Sequence, residues 1–317
     1  MPVFFVYHAY KKTMSLVIIG TVAFDTIETP FGKTDKILGG AGTFASLAAS
    51  YLCDQIRLVS VVGEDFGNDY LDLIKNRGID VTGIQVINGG KTFYWSGRYH
   101  NDMNSRDTLA TDLNVLAEFD PIIPESYQDC EYLLLGNLTP QIQLTTLARF
   151  KHKPKLVVLD TMNYWMNVAM DDLRKVLLMV DVLAINDSEA RQLSGEYSLV
   201  KAAKVILEMG PRYLIIKKGE HGALLFGENQ IFSAPALPLA DVFDPTGAGD
   251  SFAGGFIGYL AKVKSVNFTN MKNALIFGSA LASFCVEKFG TDRLVNLTQE
   301  DIQKRLNAFV ALSQFNL

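Results

Sequence analysis

Asp244-Pro245-Thr246-Gly247-Ala248-Gly249-Asp250-Ser251-Phe252-Ala253-Gly254-Gly255-Phe256 reads as a loop that turns into a helix. Asp244 to Thr246 break the segment before it, and Gly247 and Gly249 release the backbone from Cβ restrictions. From Asp250 a helix of small and apolar residues runs to Leu260. The unpaired N–H groups of its first turn aim at one point and, with the helix dipole, make a place for an anion. Asp250, fixed beside that place, is positioned to take the proton of an alcohol attacking a phosphate. The amides of Gly247, Ala248 and Gly249 would hold the charge that grows on the transferred group. Read alone, the residues also fit a glycine-rich helix start with Asp250 as its N-cap.

Outward from this stretch, apolar strands alternate with helices. Strands are expected at 16–20, 56–62, 132–135, 156–159, 182–185, 213–217, 223–226 and 230–233. Helices are expected at 43–53, 66–77 and about 140–150, 168–180, 187–194, 198–209, 250–262, 270–287 and 298–310. That rhythm predicts a mainly parallel sheet with helices on both faces. Residues 84–112 interrupt it. There Lys91 to His100 alternate, with Phe93, Trp95 and Tyr99 on one face, as in a small sheet standing off the core or an ordinary edge strand. With no repeat and no linker, residues 1–317 form one domain, with a lid drawn from about 22–40 and 84–112.

Composition narrows the partners. The chain has 317 residues, 49% of them apolar, enough for a large core, and its net charge of −5 without Lys/Arg clusters argues against nucleic acid or membrane surfaces. Cys53, Cys130 and Cys285 are far apart and histidines number only 4, so neither a zinc site nor a disulfide framework is expected. The order of basic and apolar residues in 1–13 is the reverse of a secretory signal, so a cytoplasmic protein with a short N-terminal extension is expected, Met14 being an alternative start.

Further groups fall at the ends of strands, where open α/β sheets bind ligands. Asn186 and Glu189 would share one side of a first helical turn, as a capping box or as ligands. Lys217-Lys-Gly219-Glu-His-Gly222 reads as a hairpin turn with glycine at positive φ. Asp25, after the first strand, is a turn residue or a reader of adjacent hydroxyls. Gly39-Gly40-Ala-Gly42 would let the chain bend and approach a ligand closely.

The string from Asp244 to Phe256 resembles the C-terminal signature of the ribokinase-like (PfkB) carbohydrate kinases, D-T-x-G-A-G-D-x-F, with Asp244, Thr246 and Asp250 matching the family's Asp, Thr and catalytic Asp. Weaker motifs follow in the family's order between Gly20 and about Gly290. The resemblance implies a ribokinase-like fold and an ATP-dependent phosphotransferase acting on a hydroxyl of a sugar or sugar-like molecule. It implies substrate contacts at Asp25, Gly39 and Gly40, and water-mediated Mg²⁺ at Asn186 and Glu189. It also implies nucleotide contacts at Lys217, Gly219, Gly222, Thr246 and Asn273, and a K⁺ site at Asp244 with the segment 287–291. Where ribokinase itself has a sugar-binding Asn, this chain has Phe44, which suits a substrate with an apolar or aromatic part. A nucleoside acceptor, stacked on Phe44 or the Phe93/Trp95 face, is therefore an alternative, and an inactive metabolite-binding regulator is a second. Lid strands of the family also imply a homodimer through the lid.

Overall fold

The computed structural model describes residues 15–314; the expected extension at 1–13 and the start at Met14 lie outside the described residues. β1 (Leu16–Ile19), β2 (Ala23–Thr29), β3 (Gly32–Lys33) and β4 (Ile37–Gly39) lead into α1 (Ala41–Ala49). β5 (Ile56–Gly63) and α2 (Asn68–Asn76) precede β6 (Ile79–Ile87), β7 (Tyr94–Tyr99) and β8 (Arg106–Asp112). Next come β9 (Tyr132–Leu135), α3 (Pro140–Arg149), β10 (Leu156–Asp160), α4 (Asn163–Val168) and α5 (Met170–Leu177). β11 (Val182–Asn186), α6 (Asp187–Ser194), α7 (Leu199–Leu207), β12 (Tyr213–Lys217), β13 (Ala223–Gly227) and β14 (Gln230–Ala234) follow. The chain closes with α8 (Ala248–Val263), α9 (Phe268–Cys285), α10 (Asp292–Val295) and α11 (Gln299–Ser313).

Nine strands form the main sheet in the order β14-β13-β12-β11-β10-β9-β1-β5-β6. Only β13 runs against its neighbours. The central strands are continuous apolar runs because both faces are covered. In β1, Leu16 and Ile18 point into a core shared with Phe44 of α1, Phe256 of α8 and Leu275 of α9. Val17 and Ile19 point the other way, toward Leu173 of α5, Leu193 of α6 and Ile206 of α7. In α8 every residue from Ser251 to Gly258 is buried, which explains its uniformly small and apolar sequence. The N-terminus of α8 is thereby fixed at the crevice beyond the strands' C-terminal ends.

A second sheet, β3-β2-β7-β8 with β4 also on β2, stands where a lid is expected. Its extent differs from expectation on one side. Residues 84–87 belong to β6, which pairs parallel to β5 at the edge of the main sheet. β6 escapes a pattern reading because one side is solvated: Asp80, Thr82, Val86 and Ile87 are exposed, while Ile79 and Gly83 face inward. The lid proper is β2–β4 with β7 and β8. It rests on the loop before α8, where the rings of Phe31 and Phe243 lie 4.8 Å apart. At its outer edge β8 is exposed along almost its whole length.

Candidate active site

At the start of α8, Gly247 adopts φ 77°, a left-handed conformation that favours glycine, and the Phe44 ring fills the place where a Cβ would be, 2.4 Å away. Phe44 is only 1% exposed. It therefore supports the loop before α8 from below and offers no free face to a substrate, a correction to the expectation that it stacks on one. Of the three amides expected to meet an anion, that of Ala248 donates to the Pro245 carbonyl at 3.2 Å. Asp250 stands in the first turn, half-buried, facing the crevice. Burial and the nearby Asp160 carboxylate push its pKa up to about 7, against the pull of Lys217 and Arg106.

Lys217 ends β12 and Asp160 ends the next strand but one, β10. Their side chains pair at 3.0 Å across the strand ends. A Cβ on Gly249 would lie 3.2 Å from Lys217 Nζ, so the ammonium sits over the first turn of α8. Glu189 faces the same cluster. Burial raises it to about 7, with Lys217 opposing and Asp160 adding to the rise. Asn186 and Glu189 do form a capping box: Asn186 Oδ1 accepts from the Glu189 amide at 2.8 Å and Glu189 Oε2 from the Asn186 amide at 2.7 Å. The structural reading of this pair is met, and the box engages one oxygen of the Glu189 carboxylate.

Asp25 lies within β2, 5% exposed, and packs on Gly39 so closely that a Cβ there would fall 1.9 Å from its Oδ2. Burial and the charge of Asp244 raise its pKa to about 7, with the Gly40 amide pulling it down and Asp250 adding to the rise. Asp244 is buried too, one carboxylate oxygen accepting from the Thr246 amide and the other from Gly290, each at 2.8 Å. This joins the loop before α8 to the segment 287–291. Burial raises Asp244 above the usual carboxylate range, although those two amides oppose the shift.

The small sheet also brings groups to the crevice. Thr246 Oγ1 donates to the Tyr99 hydroxyl of β7 at 3.2 Å. Asp25 and Trp95 are register partners on β2 and β7, and the half-buried Trp95 indole lies over Gly97 on the crevice side of the lid. Arg106 of β8 stands 5.9 Å from the Trp95 ring, and its charge reaches Asp250 and Glu189. The β12–β13 turn has Gly219 and Gly222 at φ 54° and 82°, as expected, and Asn104 between β7 and β8 lies against Gly219. Asn273 stands apart: it is exposed and donates to the Tyr259 hydroxyl at 3.3 Å, about 13 Å along α8 from Asp250.

Asp160 and Arg106 are the site groups that sequence reasoning missed. Asp160 had a usable signal, a carboxylate at the end of an apolar strand; Arg106, in an exposed edge strand, had none.

The pfkB family carbohydrate kinase model matches residues 14–297. A cytidine kinase of Thermococcus kodakarensis is 32% identical over 248 residues, covering 77% of this chain and 87% of that protein. Among solved structures, a candidate ribokinase II of E. coli bound to ATP and Mg²⁺ superposes with a TM-score of 0.77 at 19% identity, covering 93% of this chain and 99% of that one. The nucleoside kinase of Methanocaldococcus jannaschii gives 0.73 at 23% identity, with the same coverage of 93% and 99%. Among the described residues, no helix is long and apolar enough to cross a membrane.

Proposed function

The chain belongs to the pfkB family of carbohydrate kinases, and from that premise we propose that it transfers the γ-phosphoryl group of ATP to a ribose hydroxyl of a nucleoside. The observation that carries the acceptor class is Trp95 beside Asp25 on the crevice side of the lid. A carboxylate suits paired sugar hydroxyls, and an indole face suits a planar base, stacking being worth roughly 1–3 kcal/mol per base. The similarity to a cytidine kinase supports the same reading.

In this reading Asp25 and the Gly39–Gly40 backbone hold the sugar, and Asp250 takes the proton as the hydroxyl oxygen bonds to phosphorus. The bond from that phosphorus to the ADP oxygen breaks, and the amides of Gly247 and Gly249 meet the charge on the transferred group. A group held at about 7 suits this base, being substantially ionised at neutral pH while still able to accept a proton. The oxygen donors of Asn186 and Glu189 fit Mg²⁺ held through water, which neutralises phosphate charge when bound. Asp244, buried and accepting from the Thr246 and Gly290 amides, fits a K⁺ whose charge would offset the cost of burial. The exposed β8 edge would pair with a second copy of the chain.

The test is ADP formation from MgATP across pyrimidine and purine nucleosides, free pentoses and sugar acids. Turnover is expected with one nucleoside group. Turnover of a free sugar with every nucleoside refused would remove the base-stacking argument.

A further inference from the structure

Two observations meet at Lys217 that neither the base nor the anion loop explains. Its ammonium is paired with Asp160 at 3.0 Å in a largely buried setting, the two side chains 19% and 11% exposed. That same ammonium lies over the first turn of α8, where a Cβ on Gly249 would be 3.2 Å away. A cation at a helix N-terminus sits where the dipole repels it. A buried ion pair is also a poor source of stability, since apolar residues of like volume do as well or better. An anion bound between the ammonium and the helix start would make sense of both costs.

We infer that Lys217 is a ligand of the phosphoryl group in transfer and that Asp160 is the positioning residue that holds its Nζ over the first turn of α8. The inference rests on the phosphotransferase reading, whatever the acceptor. Nζ is faced by Asp160 from β10, Glu189 from α6 and Asp250 from α8, while Arg106 of β8 acts on Glu189 and Asp250 from the lid. Burial drives Lys217 toward losing its proton, and Asp160 and Glu189 hold the proton on. As the acceptor oxygen bonds to phosphorus and ADP leaves, the proton passes to Asp250 and Lys217 keeps its own. Its charge is then available to the phosphoryl oxygens throughout.

The test compares binding of the imido analogue of ATP with binding of ADP, both with Mg²⁺, by calorimetry on the full chain. Lys217→Met is expected to weaken the analogue about tenfold or more while ADP changes by about twofold at most, since only the analogue carries the third phosphate. Lys217→Arg should recover part of the loss, and carries the same comparison should Lys217→Met fail to fold. Asp160→Asn is expected to lower kcat about tenfold with little change in acceptor KM. Equal losses for analogue and ADP in the Lys217 variants would overturn the ligand role. An Asp160→Asn enzyme with unchanged kcat, or with acceptor KM changed as much as kcat, would overturn the positioning role. Because the binding comparison uses no acceptor, its outcome is separate from whether nucleosides are the substrates.

Discussion

On the crevice floor, Asp160, Lys217, Glu189 and Asp250 sit at strand ends or helix starts whose neighbours are buried on both sides of a nine-stranded sheet. In the lid, Asp25, Trp95 and Tyr99 ride on a five-stranded sheet whose outer strand is exposed almost throughout. Groups of the floor are held by the main fold and meet at short range, as the ion pair shows. The inner strand of the small sheet is anchored in the core through Phe24, whereas its outer part meets the loop before α8 through a hydroxyl pair and a pair of rings. Chemistry that tolerates little displacement belongs on the first, and recognition that must admit and release ligands belongs on the second.

The largest effect that would break this division is at Asp250. Asp250→Asn should lower kcat by about 10²–10⁴ while MgATP binding persists, as steady-state rates and calorimetry would report. Retained turnover would take the base off the floor. A smaller and different change is expected in the lid: Trp95→Ala should raise KM for the nucleoside about tenfold, with KM for ATP and the melting temperature little altered. Should kcat fall instead with KM steady, Trp95 would be part of the catalytic geometry and the division between the regions would blur.

How much of this was legible from the amino-acid string follows the same division. The turn at Gly247 and the hairpin at Gly219 are local, encoded in backbone preferences of adjacent residues, and the strand ends at Asn186 and Lys217 fall where the apolar runs stop. The pairing of Asp160 with Lys217 depends on the order of β10, β11 and β12 in the sheet, which no local pattern contains. Phe44 was legible as helical but not by facing, because its direction is set by α8 packing against α1 from far along the chain. The β6 edge has no clean alternation to read, because the strand is solvated on one side and its register slips between Asp80 and Gly83.

The smallest effect sharpens the comparison through pH. Asp25, Glu189 and Asp250 are each raised to about 7 by burial and neighbouring carboxylates. Between about pH 4 and 7 the folded chain therefore keeps protons that the unfolded chain has released, and stability falls as pH rises through that window. With Asp250 as the proposed base, activity is expected to run the other way, because the base must be ionised. The melting temperature of the ligand-free protein should thus drop by a few degrees from about pH 5 to 7.5 while kcat rises. A melting temperature that climbs with kcat would mean the three carboxyls are ionised well below neutrality.

The β7–β8 hairpin has one further consequence. At one end Trp95 lies beside Asp25, and at the other Asn104 lies against Gly219 of the turn that ends β12. One hairpin thus touches the strand that carries Asp25 and the turn after β12 at once. On the proposed reading the two substrates would share a single door, and the product slower to let go would keep the other waiting behind it.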